Sequence, residues 1–290
     1  MKLLFILLLF YSAVFANWKT DREELEEHYI SEPFRIFYST KNKHKLTNIK
    51  DNNKNNIPDY IENIYYQLYT ANNLLKKTMN LKEPLQNKNY KNKARYIDVH
   101  ILKLKHNGLA GDAILKYDYT SIDNNAYSIS MSLSNKLSRN NLTPLHELVH
   151  IYQNGYTKIK NRWVTEGIAR LLEDLMKKNK TKSEKLPTTQ NKLNKLISKT
   201  YDNASFFKRF TEVCRKKIFI KTFFEELSLQ DIEVEKKYNY KKMDWKEKDQ
   251  KSSKNNPFIF RALQKTINKI CPNNNQEIQS FYKLINQTHI

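Results

Sequence analysis

The chain is short of the residues that usually staple or punctuate a fold. Its 290 residues include two cysteines, four glycines and seven prolines. Neither Cys214 nor Cys271 has zinc-site spacing, so a metal centre here must draw on other ligands. The two could pair in an oxidising compartment or stay buried as free thiols. Long apolar runs are also missing. Leu3 to Tyr11 is too short for an ordinary membrane span, and no later segment approaches the needed length. With Lys2 before it and Val14-Phe15-Ala16 after it, that run reads as a secretory signal over residues 1–16. No cysteine follows, which argues against a lipoprotein anchor. The expectation is a secreted or periplasmic bacterial protein, monomeric, with its mature chain starting at Asn17. No internal repeat is evident.

Acidic residues are the minority charge: 30 Asp and Glu against 51 Lys and Arg, a formal net charge of +21. Such a balance could draw the protein to anionic envelope surfaces. The lysines are spread along the chain, many beside asparagines, a bias that a skewed genome can produce without any partner. No nucleic-acid-binding motif is recognisable, so no specific nucleic acid partner is expected.

Against this background one segment carries chemistry. His146-Glu147-Leu148-Val149-His150 is an H-E-x-x-H sequence. On a helix, positions i and i+4 share a face, so both imidazoles can converge on one zinc ion. Glu147, one residue round, can reach a metal-bound water without taking a coordination position. Thr143 as N-cap, Pro144 at the first helical position and a left-handed Gly155 at the end predict a short helix around the motif.

Hydrolysis at zinc needs a third protein ligand and an open position. Glu166 is the candidate. It lies near the start of a second helical pattern, with Ile168, Leu171, Leu172 and Leu175 along one side. The small Gly167 and Ala169 suit close helix approach. Glu147 would then act as general base, taking a proton from the attacking water and passing it to the leaving amine.

These residues resemble a known family. H-E-x-x-H followed by Trp163-Val164-Thr165-Glu166-Gly167-Ile168-Ala169 is similar to the gluzincins, the thermolysin-like zinc metallopeptidases. A closer resemblance is to bacterial secreted metallopeptidases sharing F-R-I-H-Y, N-G-I-P-D-Y-V-E, H-E-x-x-H and W-x-x-E-G-x-A. Here the first two read Phe34-Arg35-Ile36-Phe37-Tyr38 and Asn55-Asn56-Ile57-Pro58-Asp59-Tyr60-Ile61-Glu62. The likeness spans roughly residues 30–178. Phe37 and Asn56 depart from it, and Arg170 stands where thermolysin has an acidic residue that orients a ligand histidine. The resemblance implies an α+β, zincin-like fold: a small mixed sheet with the active-site helices over 17–178, then a mostly helical lobe over 179–290. It also implies an oxyanion donor, Tyr or His, for which Tyr156, Tyr201, Tyr238 and Tyr240 are candidates.

A second metal candidate lies upstream. Asp51, Asn53, Asn55, Asp59 and Glu62 fall at positions 1, 3, 5, 9 and 12 of a loop over 51–62, with the Ile57 carbonyl at position 7. This is the oxygen spacing of a calcium loop, and Asn56 replaces the usual glycine at position 6. A polar, Asn-rich turn leading into the next helix would look the same.

Elsewhere, Phe34–Ser39, Arg95–Leu104 and Ala126–Leu133 read as strands, and 58–78 as a helix. The last strand is expected to border the cleft, with Ser128, Ser130 and Ser132 on a solvated face and its edge open to substrate. Residues 108–112 read as a flexible loop that could border the cleft or be a plain connection between strands. Two other readings stay open: a non-catalytic binding protein with a structural zinc, and a basic envelope-associated module.

Overall fold

Three stretches that the pattern marks as strands become the parallel centre of one sheet. In the computed structural model, which describes residues 18–123, 125–214, 218–241 and 245–287, β1 is Glu27–Ser31, β2 Phe34–Tyr38, β3 Tyr96–Leu102, β4 Gly108–Ala110, β5 Leu115–Lys116 and β6 Tyr127–Ser134. The expected signal at 1–16 lies outside the described residues. The sheet runs β1-β2-β3-β6-β4, with β5 also on β6. β2, β3 and β6 are parallel, and β1, β4 and β5 are antiparallel to their neighbours. The parallel strands are buried on both faces, as such strands usually are. Small mixed sheet and many helices make the fold α+β.

Burial on both faces corrects two expectations. Ser128, Ser130 and Ser132 do not face solvent; each is buried in a polar layer. Ser128 donates to Asp98, Ser130 pairs with the Tyr117 hydroxyl, and Ser132 accepts from Arg22. Asp98 is held by both arms of Arg35, at 2.7 and 2.8 Å, and by the Tyr119 hydroxyl. A buried ion pair is tolerable only when its remaining bonding sites are filled, as here. Burial also drives the His100 imidazole well below its ordinary pKa, and its Nε2 meets the Tyr119 hydroxyl at 2.7 Å. Nor is β6 an edge: it pairs with β3 on one side and with β4 and β5 on the other. The 108–112 segment, expected to be a loop, supplies β4.

Contacts concentrate in two units. One holds the described residues up to Tyr69 together with Tyr90–Glu147, the other Thr70–Asn89 with the chain from Leu148 on. The division falls inside the motif helix. Side chains explain why 70–89 belongs with the chain beyond 148. The Tyr152 hydroxyl donates to Asn72 (2.7 Å), the Tyr156 hydroxyl accepts from the Lys82 N–H (2.8 Å), and Asn89 donates to the Asn154 carbonyl (2.8 Å).

The first unit carries a helix over the described residues 18–23 (α1) and most of α2, Asp59–Asn73. The expected helix over 58–78 continues from α2 as a π-helical turn, Leu74–Thr78. The second unit is helical: α3 is Thr143–Tyr156 (begun in the first unit), α4 Arg162–Leu172, α5 Gln190–Ser198, α6 Ala204–Val213, α7 Phe219–Tyr238, α8 Glu247–Gln250, α9 Asn256–Ile270 and α10 Gln276–Gln287. Trp163, Phe206, Phe207, Phe210, Phe219, Phe223 and Phe281 form a connected set of rings at its centre. Such pairs add about 0.5–1.5 kcal/mol each beyond area burial. Cys214, at the end of α6, is bonded to Cys271, at the end of α9, closing the question of free thiols. No helix among the described residues is long and apolar enough to cross a membrane.

Candidate metal centre

Helix α3 forms where the capping residues expect it, with two corrections. The side chain that accepts from its first turn is Asn141, at 2.9 Å from the Thr143 N–H, rather than Thr143 itself. Gly155 stays inside the helix, and no glycine in the described chain has positive φ. Its missing side chain instead admits Asn87, which a Cβ would meet at 3.2 Å. The helix is fastened beyond the motif by the Tyr152, Asn154 and Tyr156 contacts already given. A firmly held helix is a good carrier for ligands that must not drift.

His146, His150 and Glu166 each turn one ligand atom into a common space, all within 4.8 Å of one another. Among the described residues this is the group of His, Cys, Asp and Glu side chains that meets so closely. His146 is buried, and His150 and Glu166 keep 17% and 14% side-chain exposure. The His150 Nε2 lies 3.6 Å from the Glu166 Oε2. That exceeds the about 2.7–2.9 Å of a charge-assisted hydrogen bond. It matches the about 3.4 Å edge of a tetrahedron whose centre is about 2.1 Å from each nitrogen or oxygen. Two imidazoles and a carboxylate suit zinc; calcium would require oxygen ligands throughout.

Glu166 reaches this point from the first half of α4. Gly167 does not seat α4 on α3, as the sequence suggested. A Cβ there would strike Asn203 at 2.9 Å and Phe207 at 3.0 Å, so the glycine seats α4 on the start of α6. Arg170 orients no histidine; it bonds Glu173 at 3.1 Å.

Two residues complete the surroundings: Gln153, which sequence reasoning missed, and Gly108, from the 108–112 segment that the sequence offered as a possible border of the cleft. Gln153, 3% exposed, accepts from the His150 Nδ1–H at 2.7 Å and donates through Nε2 to the Thr165 carbonyl at 2.9 Å. Its position three residues beyond the second histidine was the available signal. Gly108 of β4 lies against the motif helix: a Cβ there would meet Thr143 Cγ2 at 2.5 Å and Glu147 Oε1 at 2.9 Å.

The four tyrosines named as oxyanion donors separate. Tyr156 is buried and accepts from Lys82. Tyr238 donates to the Lys254 carbonyl at 3.2 Å, and Tyr240 packs on Tyr238 and Trp245. Tyr201 is different. Its ring lies 5.0 Å from the Arg170 guanidinium and 5.9 Å from that of Arg162. Arg162, Glu166 and Arg170 follow one another at i+4 steps along one face of α4, so Tyr201 spans the stripe that holds Glu166.

The upstream loop folds as the spacing suggests but is closed by its own hydrogen bonds. Asn56 has φ 69°, the left-handed conformation expected at position 6. Asp51 accepts from the Asn55 and Asn56 N–H groups, and Ile57 donates its N–H to Asn55. The Asn53 and Asn55 amides both donate to Glu62. Asp59 turns to Asn52. Thus Asn53, Asn55 and Glu62 meet, while Asp51 and Asp59 are engaged elsewhere in the loop.

Compared with known protein families, with curated proteins and with solved structures, the chain matches none.

Proposed function

We propose that this chain is a zinc-dependent peptidase. The observation that carries the reading is the convergence of His146, His150 and Glu166 on one point, with Glu147 beside them on the same helix turn. A structural zinc site is usually closed by four protein ligands; three ligands with partial exposure leave room for water. When bound, zinc supplies Lewis acidity, bringing the pKa of a coordinated water toward neutrality and polarising a carbonyl.

The chain's own residues do the rest. Glu147 takes a proton from the attacking water and hands it to the leaving amine. Tyr201 donates to the developing oxyanion. β4 is the last strand in the sheet order and touches Glu147 through Gly108. An extended peptide added to that edge would lie beside the general base. The gluzincin resemblance agrees with this set of roles. The disulfide and the leader pattern at 1–16 support action outside the cytoplasm.

The test is metal analysis together with a peptide library, applied to wild type and Glu147→Gln. The expected result is about one zinc bound by both proteins and cleavage by wild type alone. Zinc in both without cleavage by either would replace this reading with a metal-stabilised binding protein. An absence of zinc from both would leave the basic envelope module.

A further inference from the structure

The amide of Gln153 has its orientation fixed by what it faces. A carbonyl can only accept, so the group turned to the Thr165 oxygen is the NH2, at 2.9 Å. The Gln153 Oε1 therefore faces His150, and since that oxygen can only accept, the His150 hydrogen sits on Nδ1. The other ring nitrogen, Nε2, is the one that faces the Glu166 Oε2, 3.6 Å away.

We propose that Gln153 is the positioning residue of the metal centre: its side chain sets the tautomer and ring angle of His150 and fastens that ring to the turn of α4 that carries Glu166. The proposal rests on the metal-binding reading above. Thr165 immediately precedes Glu166, so one amide fixes the His150 ring and the backbone next to the third ligand. Gln153 is itself well enclosed. It is 3% exposed, and its neighbours Tyr152 and Asn154 are tied to Asn72 and Asn89. A ligand histidine is ordinarily oriented by an acceptor on its other nitrogen, often a carboxylate. In this chain a neutral amide fills that place, three residues beyond the histidine it orients.

The experiment is zinc affinity by chelator competition on the full chain, for wild type, Gln153→Leu and Gln153→Glu. Leu removes the acceptor at similar size; Glu keeps an acceptor for the Nδ1–H. We expect Gln153→Leu to bind about 10–100-fold more weakly, with Gln153→Glu, which keeps the acceptor for His150 but lacks a donor for the Thr165 carbonyl, falling between Leu and wild type. A folded Leu variant with unchanged affinity, or a Glu variant as weak as Leu, overturns the proposal. If the Leu variant fails to fold, the ring nitrogens of His150 in wild type decide by long-range proton–nitrogen NMR. A hydrogen on Nδ1 with zinc on Nε2 supports the assignment, and the reverse arrangement overturns it. Failure of wild type to bind zinc would overturn the metal reading as well, whereas strong zinc binding by all three proteins would overturn this inference alone.

Discussion

Gly108 and Glu147 are in closer register than any side chain at position 108 would allow: a Cβ there would lie 2.8 Å from the Glu147 Cγ and 2.9 Å from its Oε1. The last strand in the sheet order thus abuts Glu147, the proposed general base, directly. Gly108→Ala is expected to displace the Glu147 carboxylate and lower kcat at least tenfold while zinc content stays unchanged. The added methyl also meets Thr143 Cγ2, at 2.5 Å. Combining Gly108→Ala with Thr143→Ser removes that second clash, so activity that returns fully in the double variant would show that the Glu147 contact is unimportant.

Tyr201 lies along the Glu166 stripe of α4, held over Arg162 and Arg170. Tyr201→Phe keeps the ring and removes the hydroxyl. Loss of one oxyanion donor typically costs about 100-fold or more in kcat. The expected result is that loss with KM and zinc content little changed. Steady-state kinetics showing an unchanged kcat would exclude Tyr201 as the donor.

The loop at 51–62 has its position-6 residue already left-handed and its Asn53 and Asn55 amides pointed at Glu62. Turning those amides over would bring their oxygens inward for calcium. With a dissociation constant of about 1 mM, 10 mM calcium would stabilise the fold by about 1.4 kcal/mol. Melting curves should rise with calcium, not with magnesium, and Glu62→Gln should abolish the rise. No calcium-dependent shift in wild type would leave the loop an asparagine-rich turn.

Asp231 is buried, and desolvation pushes its carboxyl up to about 6 despite hydrogen bonds from Thr157 and Lys158 and the nearby Lys88. Because the folded value is the higher one, the folded state holds the proton more tightly. This group's contribution to stability is therefore full below 3.8, its ordinary value, and is lost as pH rises through about 6. The whole span amounts to about 3 kcal/mol, of which about 1.4 kcal/mol is recovered between pH 8 and pH 5. Denaturant unfolding at pH 8, 6.5 and 5 should show wild type gaining on Asp231→Asn by that amount. Parallel curves for the two proteins would contradict it.

Much of the candidate metal centre was legible in the sequence, because its spacing is local. His146 and His150 face one way through the helical repeat alone, and Glu166 sits in a second amphipathic pattern nearby. Strand and helix existence followed from periodicity for β2, β3, β6 and α2. Two of the errors share a cause: each concerned which surface covers a residue. The serines of β6 alternate like a solvated face, yet Tyr117, Arg22 and Asp98 come from distant positions to bury them. Gly155 looked like a helix terminator and is a notch for Asn87.

The one-dimensional pattern, then, determined that two imidazoles share a helix face and that a glutamate on a later helix was available to join them, since hydrogen bonding between neighbours in the chain sets helical spacing. Tertiary packing decided what sits around them: Gly108 against Glu147, Gln153 bridging His150 to Thr165, Tyr201 over α4, and Cys214 bonded to Cys271. Such contacts join residues far apart in the chain or on separate elements, and they become fixed only when buried surfaces select one arrangement of those elements.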